Sequence, residues 1–411
     1  MSKEHHAFLG TIPHGWEAKK LKELVEFKNG KAHEQCVDEN GEYILVTSKF
    51  VSTEGDEYRR TNQALSMLNK NDIAFVMSDV PNGKALAKCF LVDVDNKYTL
   101  NQRICSLTTL SMNHQFLFYF LNRNKYYLKF DNGVGQTNLR KDEVLDCPVF
   151  VPPLKEQQKI VEILSSVDAA IKKTEQVIAK TEEIKKGLMQ QLLTKGIGHT
   201  EFKQTEIGEI PVEWQICSLE EISIIKGEYG IGASATEYNP SKPRYLRITD
   251  IDDYGYLSDK DIRGFDEEEY EKYLLKLGDL VFARTGNTTG KTYMYRSGDG
   301  DLVYAGFLIR FRFDTELCNV AFINYLTQTK YYSDWVNVNS QRSGQPGINS
   351  NQYCKFKVAL PSISEQMKIV SILDKVEEKI KIERNKLEKY AYLKQGLMQQ
   401  LLTGQVRVKV D

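Results

Sequence analysis

A glycine-rich segment in the second half of the chain contains residue types that suit contact with phosphate groups. Residues 286–292 read Gly-Asn-Thr-Thr-Gly-Lys-Thr and directly follow Arg284 and Thr285. A nucleotide-binding P-loop needs four residues between its glycines, whereas three stand here, so nucleotide hydrolysis is not expected. Two interpretations stay open: a hairpin without a ligand, or a loop whose Arg284, Thr285, Asn287 and Lys291 contact DNA phosphates or base edges.

Polar residues beside glycine recur at corresponding places in the two halves of the chain. Residues 133–140 and 341–349 both combine Gly and Gln with Asn and Arg, the side chains that read base edges in DNA. Either segment alone could be a solvated loop, but the recurrence favours a binding role. The candidate DNA-binding residues of the first half are Asn82, Lys84, Arg103, Gln136, Asn138 and Arg140. Those of the second half are Arg284, Thr285, Asn287, Lys291, Arg310, Arg342, Gln345 and Asn349.

The net charge of the chain hides a strong internal pattern. Lys and Arg number 55 and Asp and Glu 56, a net charge of −1, which by itself is not typical of a nucleic-acid-binding protein. However, residues 82–141 carry nine basic and three acidic side chains, and residues 272–360 carry eleven basic and six acidic ones. These surpluses are offset largely by residues 250–271, with ten acidic and two basic side chains. We interpret 250–271 as a solvated insertion, and the near-neutral total does not exclude DNA binding.

The sequence lacks the residue patterns of other chemistry. Apart from His5-His6, the six His residues are not spaced as metal ligands, and the seven Cys residues include no Cys-x-x-Cys pair, so no metal site is expected. No hydrolase nucleophile elbow, adenine methyltransferase loop or nuclease core is found. No apolar run approaches the roughly 20 residues of a membrane span, and residues 1–11 include no apolar leader. We therefore predict a cytoplasmic, non-catalytic chain with reduced thiols.

An internal repeat organises the chain. Residues 152–194 and 361–403 align without a gap, are identical at 21 of 43 positions, and both end in Gly-Leu-Met-Gln-Gln-Leu-Leu-Thr. A second match, Gly-x-Ile-Pro-x-x-Trp, ends at Trp16 and again at Trp214. The sequence therefore predicts a globular domain followed by a long helix, twice over.

The repeated segments have the heptad pattern of a coiled coil. Apolar residues recur at steps of four and three with Lys, Glu and Gln on the outer faces, and each segment would form a rod of roughly 65 Å. Thr174, Thr181 and Lys185 interrupt the first apolar seam. A helix with one apolar stripe needs a partner, and the chain order permits an antiparallel pair with a globular domain at each end. The predicted seam residues are Ile160, Leu164, Val167, Ile171, Ile178, Leu188 and Leu192 in the first helix and Ile369, Leu373, Val376, Ile380, Leu387, Leu397 and Leu401 in the second.

The globular parts are predicted to be mixed α/β domains. Short strands are predicted at residues 43–46, 245–248, 279–284 and 308–313. Residues 116–127 and 320–332 are typical of short amphipathic helices. The predicted boundaries are 1–151 for the first globular domain, 152–196 for the first long helix, 197–360 for the second globular domain, and 361–411 for the second long helix with its tail.

In this order of elements, the chain resembles the specificity subunit of type I restriction–modification systems. The resemblance rests on the two Pro-x-x-x-Glu-Gln-x-Lys-Ile-Val helix starts at Pro152 and Pro361, the two identical helix ends, the two Ile-Pro-x-x-Trp domain starts, and the stretch Asp-Leu-Val-Phe-Ala-Arg-Thr-Gly at 279–286. It covers the whole chain. One departure is that residues 76–79 read Val-Met-Ser-Asp where residues 283–286 read Ala-Arg-Thr-Gly. A DNA role for that loop is therefore better supported in the second domain.

The resemblance implies a non-catalytic chain with two target recognition domains, each reading one half of a bipartite, asymmetric DNA site. The two helices would form an antiparallel coiled coil that sets the distance between the half-sites and binds two methyltransferase subunits. Those subunits would carry S-adenosylmethionine and methylate an adenine flipped out of each half-site. Restriction subunits that use ATP and Mg would join for cleavage. The alternative is a coiled-coil protein-interaction scaffold without sequence-specific DNA readout.

Overall fold

The chain divides into two compact units, each of which contains part of both long helices. The first unit comprises Met1–Glu175 together with Asn385–Asp411, and the second comprises Gln176–Arg384. This computed structural model describes residues 12–80, 83–131, 133–252, 254–341 and 345–410.

The first unit is a mixed α/β domain, as the sequence predicts. Its strands are β1 (Glu17–Lys20), β2 (Val25–Asn29), β3 (Tyr43–Val46), β4 (Arg59–Thr61), β5 (Ile73–Val76), β6 (Ser78–Asp79), β7 (Cys89–Leu91), β8 (Tyr98–Leu100), β9 (Ile104–Thr109), β10 (Thr137–Asn138) and β11 (Pro148–Val151). Its short helices are α1 (Ser48–Ser52), α2 (His114–Leu121), α3 (Lys125–Leu128) and α4 (Lys141–Leu145), and the long helix α5 (Leu154–Lys195) follows.

A four-stranded antiparallel sheet of order β2-β9-β5-β7 forms the centre of the first unit. Its strands β5 and β9 are rich in apolar residues, and Ile73, Phe75 and Leu107 pack against Phe116 of α2 and Tyr127 of α3. A second sheet has the order β4-β3-β8, with β3 and β8 parallel, while β1 pairs with β11 and β6 with β10. The short pair of β6 and β10 joins residues 76–79 to the polar segment at 133–140.

The second unit is also a mixed α/β domain. Its strands are β12 (Phe202–Thr205), β13 (Gly208–Pro211), β14 (Gln215–Ser218), β15 (Ser223–Tyr229), β16 (Ala235–Glu237), β17 (Arg244–Leu246), β18 (Arg263–Phe265), β19 (Asp279–Ala283), β20 (Thr292–Met294), β21 (Leu302–Tyr304), β22 (Leu308–Phe313) and β23 (Lys357–Leu360). Its helices are α6 (Val320–Leu326), α7 (Lys330–Asn339) and α8 (Ser350–Cys354), followed by the long helix α9 (Ile363–Leu402).

The second unit repeats the topology of the first. Its four-stranded sheet has the order β15-β22-β19-β20, which corresponds strand by strand to β2-β9-β5-β7. The pair β14-β23 corresponds to β1-β11, and the parallel pair β17-β21 corresponds to β3-β8. The second unit adds the hairpin β12-β13 and the pair β16-β18, whose strand β18 belongs to the acidic insertion at 250–271.

The two short amphipathic helices that the sequence predicts are each divided in two. Residues 116–127 form α2 and α3, and residues 320–332 form α6 and the start of α7. At the points of division, Asn124 and Thr329 have an extended backbone conformation. Their side chains accept hydrogen bonds from Tyr126 N and Tyr332 N and so cap the helix that follows. The predicted single helices were wrong because these capping residues lie inside the apolar pattern.

A long helix follows each globular part, with 42 residues in α5 and 40 in α9. Within the first unit, Leu401 of α9 packs in one apolar cluster with Ile160 and Leu164 of α5. Within the second, Leu192 of α5 packs with Ile369 of α9. All of the predicted seam residues are buried or half-buried. No helix in the described part of the chain combines the length and apolar character needed to cross a bilayer.

The Thr residues that interrupt the first seam are also buried. Thr174 is 4% exposed and Thr181 is 6% exposed. Their hydroxyls donate within α5, to Ala170 O at 2.8 Å and to Val177 O at 2.7 Å. The hydroxyls therefore stay hydrogen-bonded inside an otherwise apolar face.

The repeated sequence motifs form the joint between each globular part and a long helix. In the first unit, Trp16 Nε1 donates to Glu156 Oε2 at 2.9 Å, and Gln157 Oε1 accepts from Asn113 N, at the start of α2, at 2.8 Å. Gln157 is 1% exposed, so this bond is shielded from water. The Glu-Gln of the helix start and the Trp of the domain start are thus conserved between the two halves of this chain for a structural reason.

The second unit has the same joint. Trp214 Nε1 donates to Glu365 Oε2 at 3.3 Å, and Gln366 Oε1 accepts from Asn319 N, at the start of α6, at 2.8 Å. Gln366 is fully buried. In both units, a carboxylate and an amide on the first turns of a long helix therefore fix the domain that precedes it.

Candidate nucleic-acid interface

The glycine-rich loop of the second unit follows directly from the buried strand β19. Two buried tyrosines hold its ends: Tyr353 Oη donates to Ala283 O and Tyr332 Oη donates to Gly290 O, each at 2.8 Å. Burial raises the pKa of both phenols above the ordinary value, so they remain protonated donors. The loop at 284–291 is therefore a fixed structure attached to the sheet.

Gly290 is required by the packing of this loop. Its φ is +90°, in the left-handed region that favours glycine, and a Cβ there would lie 2.7 Å from Val336 Cγ1. The same close approach seats the loop on α7. This geometry is compatible with both interpretations of the sequence, a glycine-rich hairpin and a binding loop.

The loop is joined to the second polar segment of the unit. Gly286 N donates to Pro346 O and Ile348 N donates to Arg284 O, both at 2.9 Å. Gln345 is exposed beside Gly286, where a Cβ would lie 2.9 Å from its Nε2. Residues 284–291 and 345–349 therefore form one continuous surface.

Arg284 is the best supported cation of this surface. Its guanidinium carbon lies 4.8 Å from the centre of the Tyr229 ring, and the side chain is half-buried. Its Nε is enclosed and has no hydrogen-bond partner among the described residues. The contact with the Tyr229 ring holds the guanidinium in place at the start of the glycine-rich loop.

The other candidates of the second unit differ in how accessible they are. Asn287 is exposed, whereas Thr285 and Lys291 are half-buried. Asn349 lies beside the loop, but its side chain accepts from Gln352 N at 2.9 Å and caps α8. Arg342 lies outside the described residues.

The prediction that Arg310 contacts DNA requires a correction. It is 4% exposed, donates to Leu274 O at 3.1 Å and forms an ion pair with Glu228. Strand pairing places Glu228 directly opposite Arg310, so the guanidinium neutralises a neighbour in the sheet. The structure therefore argues against the direct DNA contact that the sequence analysis expected of Arg310.

The first unit has an equivalent surface. Leu139 N donates to Met77 O at 2.7 Å, and Gln136 Nε2 donates to Ser78 Oγ at 2.8 Å. This arrangement matches the bonding of Ile348 to Arg284, so residues 76–79 correspond to 283–286 in structure, as they do in the sequence alignment. The loop of the first unit thus has Met77 where the second unit has Arg284.

A cleft of about 360 Å³ lies between these segments in the first unit. Arg103 and Asn138, two of the predicted residues, line it together with Asn29, Met77 and Ser78. Both predicted residues are exposed. Arg103 adopts φ of +67°, and its side chain has no hydrogen-bond partner among the described residues.

The remaining candidates of the first unit are close in sequence to residues that line this cleft. Lys84 and Arg140 are exposed, and Arg140 precedes α4, with its backbone N donating to Glu143 Oε2 at 2.7 Å. Gln136 is exposed as well. Asn82 lies outside the described residues.

The sequence analysis missed two aromatic residues at the surface of the second unit. Tyr229, under Arg284, is 41% exposed, and Phe307 is 57% exposed. Phe307 O accepts from Arg284 N at 3.1 Å, which fixes it against the loop. No local signal distinguishes an exposed Phe from a buried one in a strand-rich sequence, so only the fold identifies Phe307.

The acidic insertion at 250–271 is anchored within its own unit. Arg247 pairs with buried Asp250 at 2.6 Å and with Asp261 at 3.2 Å. Tyr256 Oη donates to Glu377 Oε1 of α9 at 3.3 Å. Within the described residues, no group of three or more His, Cys, Asp or Glu side chains could hold a metal ion. The insertion thus packs against the long helix, and its side chains at Asp266, Glu267, Glu268, Glu269 and Glu271 are exposed.

Comparison with known proteins identifies the sequence family. The family described as "Type I restriction modification DNA specificity domain" matches residues 13–183 and 211–390. The type I restriction enzyme MjaVIII specificity subunit of Methanocaldococcus jannaschii is 28% identical, and the alignment covers 99% of this chain and 96% of the relative. The EcoDI specificity subunit of Escherichia coli is 21% identical, with 97% and 90% covered.

Solved structures show the same fold. The crystal structure of the S subunit of a type I restriction–modification system from M. genitalium superposes with a TM-score of 0.60 at 15% identity, and covers 95% of this chain and 96% of that chain. A chain from a study of complex assembly and conformational transition of the type I system has a TM-score of 0.55 at 16% identity, with 96% and 100% covered.

Proposed function

The chain belongs to the family of type I restriction–modification DNA specificity domains, and from that premise we propose that each of its two units reads one half of a bipartite DNA site. The relatives named above are specificity subunits, so the chain is the recognition component of such a system and not its catalytic one.

One observation carries the proposal: both units present the same two-segment surface with different side chains. In each, the loop after the central strand is hydrogen-bonded to the segment before a short helix, at Met77 and Leu139 in one unit and at Arg284 and Ile348 in the other. The surface of the second unit lies in a stretch with a surplus of basic residues, and the Leu139 segment of the first unit lies in the other such stretch. A shared frame with different base-reading side chains predicts two different half-sites, and hence an asymmetric target.

We infer that α5 and α9 pair in antiparallel orientation. In the first unit, Asp168 of α5 pairs with Lys394 of α9 at 2.6 Å. In the second unit, Lys185 of α5 pairs with Glu377 of α9 at 2.7 Å. The partner on α9 moves from residue 394 to residue 377 as the position on α5 moves from 168 to 185, and this opposite progression is what an antiparallel pair produces. Such a rod would set the spacing of the half-sites, which suits sites about one helical turn, roughly 34–36 Å, apart.

The helices are also the proposed docking surface for two methyltransferase subunits. Several large apolar side chains on the outer faces remain exposed: Ile184 on α5, and Met367, Ile382, Tyr392 and Leu393 on α9. Exposed apolar residues in this number favour a protein partner. The methyltransferase subunits would bring S-adenosylmethionine and methylate adenine, and restriction subunits with ATP and Mg would complete the complex.

The proposal is tested by selecting bound duplexes from a random DNA pool with this chain and its methyltransferase subunit co-expressed. The expected result is enrichment of one motif with two defined parts and an undefined spacer. Enrichment of no motif, with the complex still assembled, would favour the alternative function of a protein-interaction scaffold without DNA readout.

A further inference from the structure

The turn between two strands occupies the same place in both units. In the first unit, Arg103 O accepts from Met77 N at 3.0 Å, and in the second, Phe307 O accepts from Arg284 N at 3.1 Å. Each turn precedes an inner strand of the four-stranded sheet, β9 or β22, and follows a strand of a parallel pair, β8 or β21. Arg103 therefore corresponds to Phe307, and Met77 corresponds to Arg284.

A second pair of hydrogen bonds supports this correspondence. Gly30 N donates to Ile104 O at 3.0 Å, and Gly230 N donates to Leu308 O at 3.1 Å. The residues before these glycines, Asn29 and Tyr229, are therefore equivalent too.

Each unit thus has one guanidinium and one apolar side chain at these two positions, but in exchanged places. The exposed turn position holds Arg103 in the first unit and Phe307 in the second, while the half-buried loop position holds Met77 and Arg284. The surroundings differ accordingly. In the first unit, Asn29 and Met77 line the cleft beside Arg103. In the second, Tyr229 and Arg284 stack at the equivalent positions.

We propose that this turn residue is a specificity-determining contact in each unit, with Arg103 reading a guanine edge and Phe307 contacting a thymine methyl group. Arg103 offers guanidinium donors that have no partner within the part of the chain that the structure describes, and guanine has two acceptors on its major-groove edge, N7 and O6. Phe307 offers only an apolar surface, which matches the thymine C5-methyl group. This inference rests on the proposed function and assigns a different base chemistry to each half-site.

The test measures base preference for variants of the two turn residues in the assembled complex with the methyltransferase subunit. Arg103→Asn suits the left-handed backbone, which Asn tolerates. It should lower discrimination at one base pair of one half-site by roughly 5- to 150-fold, the cost of one mismatched base pair. Phe307→Ala should do the same at one base pair of the other half-site, and Phe307→Arg should shift that preference toward guanine.

Leu277→Ala is the matched control, since Leu277 is another exposed apolar residue, 68% exposed, at the opposite end of strand β19. It should leave both half-sites unchanged. If the wild-type complex selects a bipartite motif and the turn variants leave every base preference intact, the inference fails while the proposed function stands. A loss that is uniform over all sequences also overturns it, because such a loss shows that the side chain does not discriminate between bases. A wild-type complex that selects no motif overturns the proposed function and this inference with it.

Discussion

Arg284 and Arg310 show what can and cannot be predicted at the scale of single residues. Both lie in the basic stretch of the second half, and the sequence analysis treats them alike. The structure places Arg284 at the start of the loop, whereas Arg310 is paired with Glu228, which is 82 residues away in the chain and directly opposite it in the sheet. Residue type and charge pointed to the loops, but a strand register that joins distant residues could not be read from spacing. Phe307 was missed because no local signal in the sequence distinguishes an exposed Phe from a buried one.

Arg284→Ala should weaken DNA binding by the assembled complex by about 1–3 kcal/mol, the range for one good base contact, because it removes the stacked guanidinium. The measurement is a titration of target and random duplexes at several salt concentrations. Loss on the target alone would mark base readout, and equal loss on both with a smaller salt slope would mark a phosphate contact.

Lys276→Ala is the control for this experiment. It removes the same charge from an exposed residue just before the opposite end of β19. Affinity and salt slope that stay the same in both variants would refute a DNA role for the loop.

The long helices and the repeat were predictable at the scale of elements, since both depend on local periodicity and on similarity within the chain. The function of the Glu-Gln pair at each helix start was not. Only the fold shows that Glu156 and Glu365 accept a hydrogen bond from the indole N–H of the Trp at the domain start. Gln157 and Gln366 likewise accept one from a backbone N–H at the start of a short helix. The motifs that carry the family resemblance thus attach each globular part to the long helix that follows it.

Arg407→Ala should destabilise the first unit by about 1–2 kcal/mol. Glu156 is 2% exposed, and Arg407 donates to it from Nε at 2.6 Å and from Nη2 at 2.8 Å. The variant leaves a buried carboxylate with fewer donors, although the partial exposure of Arg407 reduces the loss. Urea unfolding measures this change in the free energy of unfolding. Lys409→Ala, at an exposed residue of the same tail, should change nothing, and an equal effect of the two substitutions would exclude the proposed role of the ion pair.

Ile369→Ala should destabilise the second unit by about 2–5 kcal/mol, because Ile369 is fully buried in the apolar cluster shared by α5 and α9. Ile382→Ala makes the same chemical change on the same helix, where the side chain is 55% exposed, and should cost less than about 0.5 kcal/mol. Thermal unfolding of both variants compares them. Similar losses in the two variants would contradict the assignment of the buried seam.

At the scale of the whole molecule, the net charge of −1 is a poor guide to function. It sums two basic stretches and one acidic insertion, and that insertion packs against its own unit through pairs such as Arg247 with Asp250. A nearly neutral chain of this kind should bind DNA weakly and without preference by itself, with tight binding left to the assembled complex. The doubling of domain and helix, which the sequence shows directly, predicts the bipartite reading better than the charge does.

The most direct test of the central claim is methylome sequencing of a host that carries the methyltransferase subunit with this chain, without it, and with residues 200–360 exchanged for those of another family member. The account predicts adenine methylation at a two-part asymmetric motif that disappears without the chain, and the exchange should alter one half of that motif only. Methylation that does not depend on the chain, or an exchange that alters both halves or neither, would contradict it.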